Sequence, residues 1–435
     1  MAELCHDVIG IDVDETKIAA LRDGRAPFYE PGLPELLAAG VASGRLRFST
    51  DLADARGAEV HFVAVGTPQQ PGRHAADLRF VDAAVDGLLP HLQPGDLVVG
   101  KSTVPVGTAA LLVERVRAAG AELAWNPEFL REGYAVRDTI TPDRLVYGLP
   151  QDGLEELRGE DAGAGRVGAP TSAARAKELL DGVYVTALAA GTPLVVTDYA
   201  TAELVKVSAN AFLATKISFI NAMAEIAEVT GADVTQLADA IGFDARIGRK
   251  FLNAGVGFGG GCLPKDIRAF AARAEELGRG ESVAFLKEVD AINLRRRYRV
   301  VDIVLEALGG EPHKKRVAVL GLAFKPESDD IRDSPALDVA VRLRGFGVKV
   351  TATDPQAIEN SRRIHPQLRY AESTEKALKD ADVVVLVTEW RAYRDLDPAW
   401  VASIARGRTV IDGRNVLDAT AWRAAGWTYR ALGRP

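Results

Sequence analysis

The first part of the chain alternates short apolar runs with stretches of helical periodicity. The apolar runs predict strands and the stretches between them predict crossover helices, which is the pattern of a parallel α/β sheet. The predicted strands are 8–12, 59–65, 96–100, 123–125 and 144–147, and a helix is predicted at 78–89.

A long helical pattern follows from about Ala200 to Thr230, with Gly231 as its C-cap. A second series of alternating strands and helices then begins at 315–321. Its later strands are predicted at 348–353, 381–388 and 408–412. The fold class predicted is therefore α/β, with two doubly wound sheets joined by a long central helix.

Composition and charge narrow the class of protein. A chain of 435 residues that is 47% apolar is long enough for two or three domains with sizeable cores. The net charge is -7 and there are no runs of like charge, so the sequence does not indicate a basic surface that binds nucleic acid or an anionic membrane. We expect no membrane span and no export signal, because no apolar run is long enough and the N-terminus has no signal core.

The cysteines indicate the compartment. Cys5 and Cys262 are the two cysteines of the chain, and neither stands in a metal-binding spacing. Two cysteines cannot form a disulfide framework, so we expect a cytoplasmic protein without a metal site.

Cys262 stands out because it ends a run of glycines and precedes a Lys/Asp pair at 265 and 266. A main chain with few side chains can approach a bulky polar ligand, and Lys265 would favour a thiolate. The alternative is a glycine-rich surface loop that carries a buried, inert thiol.

The same glycines match the dinucleotide pattern G-x-G-x-x-G at Gly255, Gly257 and Gly260. A nucleotide cradle needs an apolar strand before the first glycine, whereas residues 247–254 are mixed and cationic. We interpret this match as accidental.

Polar clusters follow three strands of the first series, at 66–68, 101–107 and 126–132. Ligands bind at the carboxyl ends of such strands, so these clusters predict a site. Asp12 ends the first predicted strand, where an acid can bind the adenosine ribose of NAD and repel the phosphate of NADP. An ordinary turn acid remains the alternative at that position.

Two further groups of polar residues attract attention. Lys206 and Asn210 lie one turn apart on the long helix, although a surface lysine with a capping-type asparagine is the alternative. In the second series, Lys325, Arg332 and Arg414 lie near strand ends and suit a phosphorylated ligand. Residues 151–172 are rich in Gly, Ala and charge and show no clear periodicity, which predicts a solvated loop or insertion at the edge of the first sheet.

A series of motifs in this order resembles the UDP-glucose/GDP-mannose dehydrogenase family over essentially the whole chain. Where the family commonly has Ser, this chain has Gly261, which leaves the nucleophile in place. The motifs are Tyr29-Glu-Pro-Gly-Leu33, Lys101-Ser-Thr-Val-Pro-Val-Gly-Thr108, Asn126-Pro-Glu-Phe-Leu130, Asn210-Ala-Phe-Leu-Ala-Thr-Lys216, Gly257-Phe-Gly-Gly-Gly-Cys262, Phe324-Lys325 and Asp412-Gly-Arg414, with Ala245-Arg-Ile-Gly248 and Lys250-Phe-Leu-Asn-Ala-Gly255 similar to the branch that oxidises UDP-glucose.

The resemblance implies an NAD-dependent four-electron oxidation of UDP-glucose to UDP-glucuronate, with two NAD and one water. Cys262 would hold the intermediates as a thiohemiacetal and a thioester. Glu128 would act through water on the thioester, Thr103 and Asp266 would hold that water, and Lys206 and Asn210 would stabilise the oxyanion. The implied catalytic residues are Cys262, Glu128, Lys206, Asn210, Asp266 and Thr103.

The resemblance also implies two sets of binding residues and a homodimer, with Arg246 reaching across its interface. The NAD contacts would be Asp12, Lys17, Thr67, Ser102, Glu132 and Arg332. The UDP-glucose contacts would be Phe129, Leu130, Lys206, Asn210, Arg246, Phe251, Leu252, Asn253, Gly255, Gly259, Lys325 and Arg414.

Three domains follow from the same resemblance. Residues 1–198 would form an NAD-binding Rossmann-like domain, 199–300 a central helical dimerisation domain with the nucleophile, and 301–435 a UDP-sugar-binding Rossmann-like domain. Family members begin with a strand and a glycine-rich turn, whereas this chain opens at the helix that follows them. We therefore expect the chain as written to bind NAD poorly and to aggregate, and an extension of about 20 residues to restore both properties.

Three explanations for this start remain open: a misassigned start codon, which we favour, a shortened form and a natural loss. Alternative functions also remain. The chain could oxidise another nucleotide sugar, such as GDP-mannose, or bind one without completing the redox cycle because the phosphate loop is missing. A thiol hydrolase ranks last, because all six histidines fall outside the motifs.

Overall fold

The structure is a computed structural model that describes residues 1–159 and 170–435. Its contacts divide the chain into two compact units. Unit 1 comprises Met1–Ala209 with Glu275–Leu277, and unit 2 comprises Asn210–Ala274 with Gly278–Pro435. The division into three domains stays a prediction.

The described part of unit 1 contains two sheets. In one sheet, β1 pairs with β2 in parallel, and in the other the strand order is β3-β4-β5-β6-β7. The strands are β1 (Val8–Ile11), β2 (Leu46–Ser49), β3 (Val60–Val63), β4 (Leu97–Gly100), β5 (Glu122–Trp125), β6 (Leu145–Leu149) and β7 (Leu194–Asp198).

The prediction that all strands of this first series are parallel is wrong for β6. Trp125 of β5 pairs with Gly148 of β6 in the antiparallel sense, and β7 runs parallel to β6. A parallel neighbour requires a long crossover, whereas here a turn and the short helix Ala135–Ile140 return the chain along the edge of β5. The first sheet is therefore mixed, although parallel pairs dominate it.

The helices of unit 1 include one inside the predicted loop 151–172, so that prediction is wrong at Leu154–Arg158. Residues 160–169 of the same loop lie outside the described residues. The helices are α1 (Glu15–Arg22), α2 (Leu33–Ala42), α3 (Arg79–Leu88), α4 (Thr108–Ala118), α5 (Ala135–Ile140), α6 (Leu154–Arg158), α7 (Ser172–Val183) and α8 (Val185–Ala189), with 3₁₀ turns at Ala2–Leu4, Leu52–Ala55 and Leu89–His91.

The core of unit 1 lies on both faces of its larger sheet. Val98 packs into one apolar cluster with Leu112 of α4, whereas Leu97 and Val99 pack into another with Leu180 of α7. Successive residues of one strand point to opposite faces, so a strand that is apolar throughout must be covered on both. This is the doubly wound arrangement that the apolar runs predict.

Unit 2 contains a parallel sheet with the strand order β10-β9-β8-β11-β12-β13. This is the 3-2-1-4-5-6 order of a dinucleotide-type fold, so the prediction of a second doubly wound sheet is confirmed. The strands are β8 (Arg316–Leu320), β9 (Lys349–Thr353), β10 (Arg369–Tyr370), β11 (Val383–Leu386), β12 (Thr409–Asp412) and β13 (Thr428–Ala431).

The long predicted helix is present as α9 (Tyr199–Thr230), which runs from unit 1 into unit 2. Gly231 follows it with a left-handed φ of 76°, and its N–H donates to the carbonyl of Ala227, which confirms the predicted C-cap. The later helices are α10 (Val234–Gly242), α11 (Leu263–Glu276), α12 (Phe285–Ala307), α13 (Pro335–Gly345), α14 (Ile358–Ile364), α15 (Thr374–Leu378), α16 (Arg391–Arg394), α17 (Pro398–Ile404) and α18 (Ala419–Ala424), with 3₁₀ turns at Gly280–Val283 and Pro312–Lys314.

Within residues 1–159 and 170–435, we find no helix with the length and apolar character needed to cross a bilayer.

Residues 255–261, which we call the glycine segment, lie in unit 2 without regular secondary structure. They follow no strand, so the interpretation of the G-x-G-x-x-G match as accidental is confirmed. A Cβ atom on Gly257 would lie 2.5 Å from Oδ1 of Asn293, and one on Gly259 would lie 2.3 Å from the carbonyl oxygen of Asp333. The segment is therefore rich in glycine because other segments of the same chain lie directly against its backbone.

A buried side chain of α12 holds the centre of this segment. Asn293 accepts a hydrogen bond from the N–H of Phe258 at 2.7 Å and donates one to its carbonyl at 3.0 Å. Because Asn293 is fully buried, this pair of bonds fixes the backbone just before Cys262.

We expect Gly257→Ala to lower the free energy of unfolding by about 2 kcal/mol more than Gly248→Ala. Both glycines have a positive φ, 100° at Gly257 and 70° at Gly248, but nothing lies within 4 Å of a Cβ on Gly248. The control therefore carries the backbone strain without the collision. Urea unfolding measures the loss of free energy of unfolding in both variants. Equal losses would show that Asn293 can move away from the added methyl group without destabilising the protein.

Candidate active site

Cys262 lies at the N-terminus of α11, where its carbonyl accepts a hydrogen bond from the N–H of Asp266 at 2.9 Å. The residue is exposed, whereas the glycine segment before it is mostly buried. The alternative of a buried thiol on an exposed loop is therefore wrong on both counts. A helix N-terminus stabilises a thiolate, so this position suits a nucleophile.

Asp266 and Asn210 are brought together in unit 2. Oδ2 of Asp266 accepts a hydrogen bond from the side-chain amide of Asn210 at 2.6 Å. Oδ1 of the same carboxylate pairs with Nζ of Lys265, also at 2.6 Å. Asp266 is only 2% exposed, so its charge is met by an ammonium and an amide. Lys265, the cation that was predicted to favour a thiolate at Cys262, thus pairs with Asp266.

Glu128 and Lys206 are brought together in unit 1. Nζ of Lys206 lies 3.3 Å from Oε1 of Glu128, and Oε2 accepts a hydrogen bond from the N–H of Leu130 at 2.6 Å. The same ammonium lies 5.4 Å from the ring centre of Phe129. Lys206 is 5% exposed, so the alternative of a surface lysine is wrong.

The polar clusters after β3 and β4 contact each other. The hydroxyl of Thr67 donates to the carbonyl of Thr103 at 2.7 Å, and the hydroxyl of Ser102 donates to the carbonyl of Val65 at 2.7 Å. Both bonds run between the two strand ends. The two predicted clusters therefore contact each other at the carboxyl ends of β3 and β4.

Asp12 and Lys17 form an ion pair of 2.6 Å at the carboxyl end of β1. Partial burial raises the pKa of Asp12, but hydrogen bonds from Lys17 and from the backbone N–H of Asp14 outweigh it, and the pKa is lowered. The carboxylate therefore stays charged at neutral pH. A charged acceptor at this strand end fits the ribose hydroxyls of NAD and disfavours an added phosphate.

Two other residues predicted to contact NAD, Glu132 and Arg332, are far in sequence from Asp12 and Lys17. Glu132 is partly buried in the turn before α5. Arg332 belongs to unit 2, where its guanidinium forms a bidentate pair with Asp330. A Cβ on Gly261 would lie 2.3 Å from Cζ of Arg332, so this side chain packs on the glycine that precedes Cys262.

Arg414 contacts the main chain at several points in unit 2. Its guanidinium donates to the carbonyls of Gly257 at 2.9 Å, Val387 at 2.9 Å and Phe324 at 3.1 Å. Glu389 lies 3.1 Å from its Nε. Arg414 therefore braces the glycine segment. Among the neighbouring candidates, Lys325 is partly buried, with its Nζ 5.2 Å from the ring centre of Phe324.

The predicted substrate residues before the glycine segment differ in exposure. Leu252 is buried in an apolar cluster, so its side chain belongs to the core. Phe251, with a left-handed φ of 66°, and Asn253 are exposed. Arg246 is exposed as well and pairs with Asp244 two residues away.

Lys101, which follows β4 directly, belongs to the predicted polar cluster 101–107 but received no individual role from the sequence. Its ammonium donates to Oδ1 of Asn126 at 2.9 Å and to the hydroxyl of Tyr184 at 3.0 Å, and it lies 5.6 Å from the ring centre of Phe62. Burial lowers the pKa of Lys101 to about 8, the attraction of Glu128 opposes this, and the repulsion of Lys206 adds to it. A lysine directly after a buried strand was the signal in the sequence.

The described residues contain no group of three or more His, Cys, Asp or Glu side chains arranged to hold a metal ion.

We expect the titration of Lys101 to appear in the stability of the protein. Between about pH 8 and about pH 10 the unfolded chain keeps a proton that folded Lys101 has lost, so the free energy of unfolding rises with pH. Relative to Lys101→Met, the wild type should gain up to about 3 kcal/mol across this range. Urea unfolding of both proteins measures the difference, with Lys349→Met as an exposed control. A difference that is constant with pH would contradict the lowered pKa.

Comparisons with known proteins place the three parts of the chain in one family. Residues 1–159 match the NAD-binding domain of the UDP-glucose/GDP-mannose dehydrogenase family, residues 200–295 its central domain, and residues 318–419 its UDP-binding domain. The resemblance inferred from the motifs is therefore confirmed.

Individual relatives agree over the full length of the chain. A UDP-glucose 6-dehydrogenase of Rhizobium meliloti is 41% identical over 439 aligned residues, which cover 100% of this chain and 95% of that protein. UDP-glucose 6-dehydrogenase TuaD of Bacillus subtilis is 38% identical, with coverage of 100% and 89%. A UDP-glucose dehydrogenase structure from Pyrobaculum islandicum has a TM-score of 0.86 at 37% identity and covers 100% of this chain and 94% of that one.

The matched domains and the full-length relatives also confirm the prediction of an NAD-dependent oxidoreductase, which the charged acid at the end of β1 fits. The chain therefore belongs to the UDP-glucose/GDP-mannose dehydrogenase family and is a nucleotide-sugar dehydrogenase with NAD as its cofactor.

Proposed function

We propose that the chain is a UDP-glucose 6-dehydrogenase that oxidises UDP-glucose to UDP-glucuronate through covalent intermediates on Cys262. The observation that carries the proposal is the position of this thiol, exposed at the N-terminus of α11 and directly after a buried glycine segment. Two full-length relatives named as UDP-glucose 6-dehydrogenases, at 41% and 38% identity, support the choice of substrate.

Cys262 captures the product of the first oxidation. Loss of a hydride and a proton from the C6 alcohol gives an aldehyde, whose carbon then bonds to the Cys262 sulfur while its oxygen takes up a proton. NAD, when bound, accepts the hydride of each oxidation, so one substrate consumes two equivalents. The second loss of a hydride and a proton converts the thiohemiacetal into a thioester.

Hydrolysis releases the product. A water oxygen bonds to the thioester carbon, the carbon–sulfur bond breaks, and the thiolate of Cys262 leaves. Glu128 accepts the proton of this water, and Lys206 compensates the negative charge that develops on oxygen. The separation of 3.3 Å between Nζ of Lys206 and Oε1 of Glu128 supports this pairing, because both side chains can reach the same reacting carbon.

Asn210 and Asp266 orient the reacting groups in this proposal. Asp266 holds the amide of Asn210 through a bond of 2.6 Å, which fixes the direction of the amide hydrogens. Thr103 and Asp266 retain their predicted role with water, and Asp12 with Lys17 would hold the ribose of NAD. The other predicted contacts to NAD and UDP-glucose also stay predictions.

A homodimer and a cytoplasmic location belong to the same proposal. Phe212, Phe219 and Ile226 are 66%, 47% and 56% exposed and recur every seven residues on α9. Exposed apolar side chains at this spacing form a seam that another helix covers, and a second copy offers the same seam. Sedimentation velocity measures the mass, and a monomer at micromolar concentration would contradict the dimer.

We expect UDP-glucose to yield two NADH per molecule with the wild type, and Cys262→Ser to abolish complete turnover. A serine alkoxide forms far less readily than a thiolate at neutral pH. Cys5→Ser is the matched control, because Cys5 is also exposed. Absorbance of NADH and chromatography of the product measure turnover. UDP-glucuronate formation by Cys262→Ser at the wild-type rate would refute the covalent mechanism, and faster turnover of GDP-mannose or UDP-N-acetylmannosamine would reassign the substrate.

We expect Glu128→Gln to form the thioester and to hydrolyse it slowly, because the amide cannot accept the proton of water. The acyl-enzyme should accumulate and be visible by intact mass spectrometry after mixing with UDP-glucose and NAD. Hydroxylamine, which cleaves thioesters, should remove the added mass. Normal turnover without accumulation would exclude Glu128 from this step.

A further inference from the structure

Glu203 is a buried carboxylate without a role in the mechanism above. It is 2% exposed, and both of its oxygens accept hydrogen bonds from the N-terminus of α4. Oε2 accepts from the N–H of Gly107 and Oε1 from the N–H of Ala109, each at 2.7 Å. Two charge-assisted bonds at a helix N-terminus form a strong and directional contact in unit 1.

The position of Glu203 on α9 joins this contact to Lys206, three residues further along the helix. The first turns of α9, which belong to unit 1, are held firmly against its larger sheet. Tyr199 donates its hydroxyl hydrogen to the carbonyl of Leu123 in β5 at 2.7 Å. A Cβ on Gly148 of β6 would lie 2.6 Å from Cβ of Ala202, so the helix packs closely on that strand.

On the α4 side, the contact between Glu203 and the helix N-terminus is connected through the chain to Thr103. This residue lies four positions before Gly107, and its carbonyl accepts the hydroxyl hydrogen of Thr67 at 2.7 Å. The hydroxyl of Thr108 caps the intervening turn by donating to the carbonyl of Pro105 at 2.6 Å. The segment between Thr103 and α4 is thus bonded at both of its ends.

We infer that Glu203 is a positioning residue that fixes the Thr103 segment relative to Lys206 during thioester hydrolysis. The inference rests on the proposed function, in which Thr103 holds the attacking water and Lys206 compensates the developing charge. Displacement of either group by about 1 Å can slow a step up to about 100-fold. Glu203 would act through these two residues and would not touch the substrate.

The contact requires a carboxylate. The N–H groups of Gly107 and Ala109 are donors, so the two oxygens of Glu203 that they face must both accept. In Glu203→Gln one oxygen becomes an NH₂ group, which repels the opposing N–H and loses one bond. Glu203→Asp keeps the charge, but its side chain is one methylene shorter, so either α4 or α9 must shift to keep both bonds.

The test compares two steps in one reaction. Rapid-quench mixing with UDP-glucose and NAD gives the rate of the first NADH burst, and intact mass gives the rate at which the acyl-enzyme on Cys262 decays. The amplitude of the first NADH burst counts active sites, and both steps are first-order, so loss of folded enzyme does not alter either rate constant. Glu114→Gln removes an exposed carboxylate from the same helix α4 and is the matched control.

We expect Glu203→Gln to slow decay of the acyl-enzyme about 10- to 100-fold, with a much smaller effect on the first burst, and Glu203→Asp to fall between it and the wild type. Glu114→Gln should match the wild type. A purely structural role would leave the decay rate per active site unchanged. An unchanged rate in Glu203→Gln, or in Glu203→Asp if the glutamine variant does not fold, would overturn the inference. Absence of an acyl-enzyme in the wild type would instead refute the proposed function beneath it.

Discussion

The main chain of the glycine segment lies too close to its neighbours to carry side chains. At Gly255, Gly257 and Gly259 a Cβ atom would collide with Gly413, Asn293 and Asp333, which belong to three separate stretches of unit 2. These stretches can meet only around a bare backbone. The direction in which Cys262 leaves the segment therefore depends on the packing of the whole unit, and Asn293 and Arg414 secure that packing by bonding to carbonyls within the segment.

Charge is the second constraint, because the buried charges of Lys206, Asp266 and Glu203 each have a defined partner. Lys206 lies near Glu128, Lys265 and Asn210 meet Asp266, and backbone N–H groups meet Glu203. A buried charge without a partner costs several kcal/mol, so these contacts also hold the side chains in a fixed geometry. Lys101 differs because amide and phenol oxygens hold it, and burial lowers its pKa to about 8.

Local patterns were sufficient to predict much of the fold, because apolar runs and helical periodicity depend on burial alone. Strands such as β10 (Arg369–Tyr370) were missed because a short edge strand carries little apolar signal. The reversed direction of β6 was missed because periodicity contains no information on direction. Among site residues, Glu203 was missed because its partners are backbone N–H groups of α4, and a sequence does not display such partners. The buried side chain of Leu252 shows the converse limit, since a motif does not distinguish core from surface.

The contact between Glu203 and α4 also limits where anions can bind. A helix N-terminus normally offers its N–H groups to a phosphate or carboxylate from outside. In α4 the N–H groups of Gly107 and Ala109 already hold a carboxylate of the chain itself. A phosphate could bind there only by displacing a buried glutamate and leaving its charge unmet. This N-terminus therefore connects α4 to α9 within the chain. The phosphates of nucleotide ligands must bind to hydrogen-bond donors elsewhere.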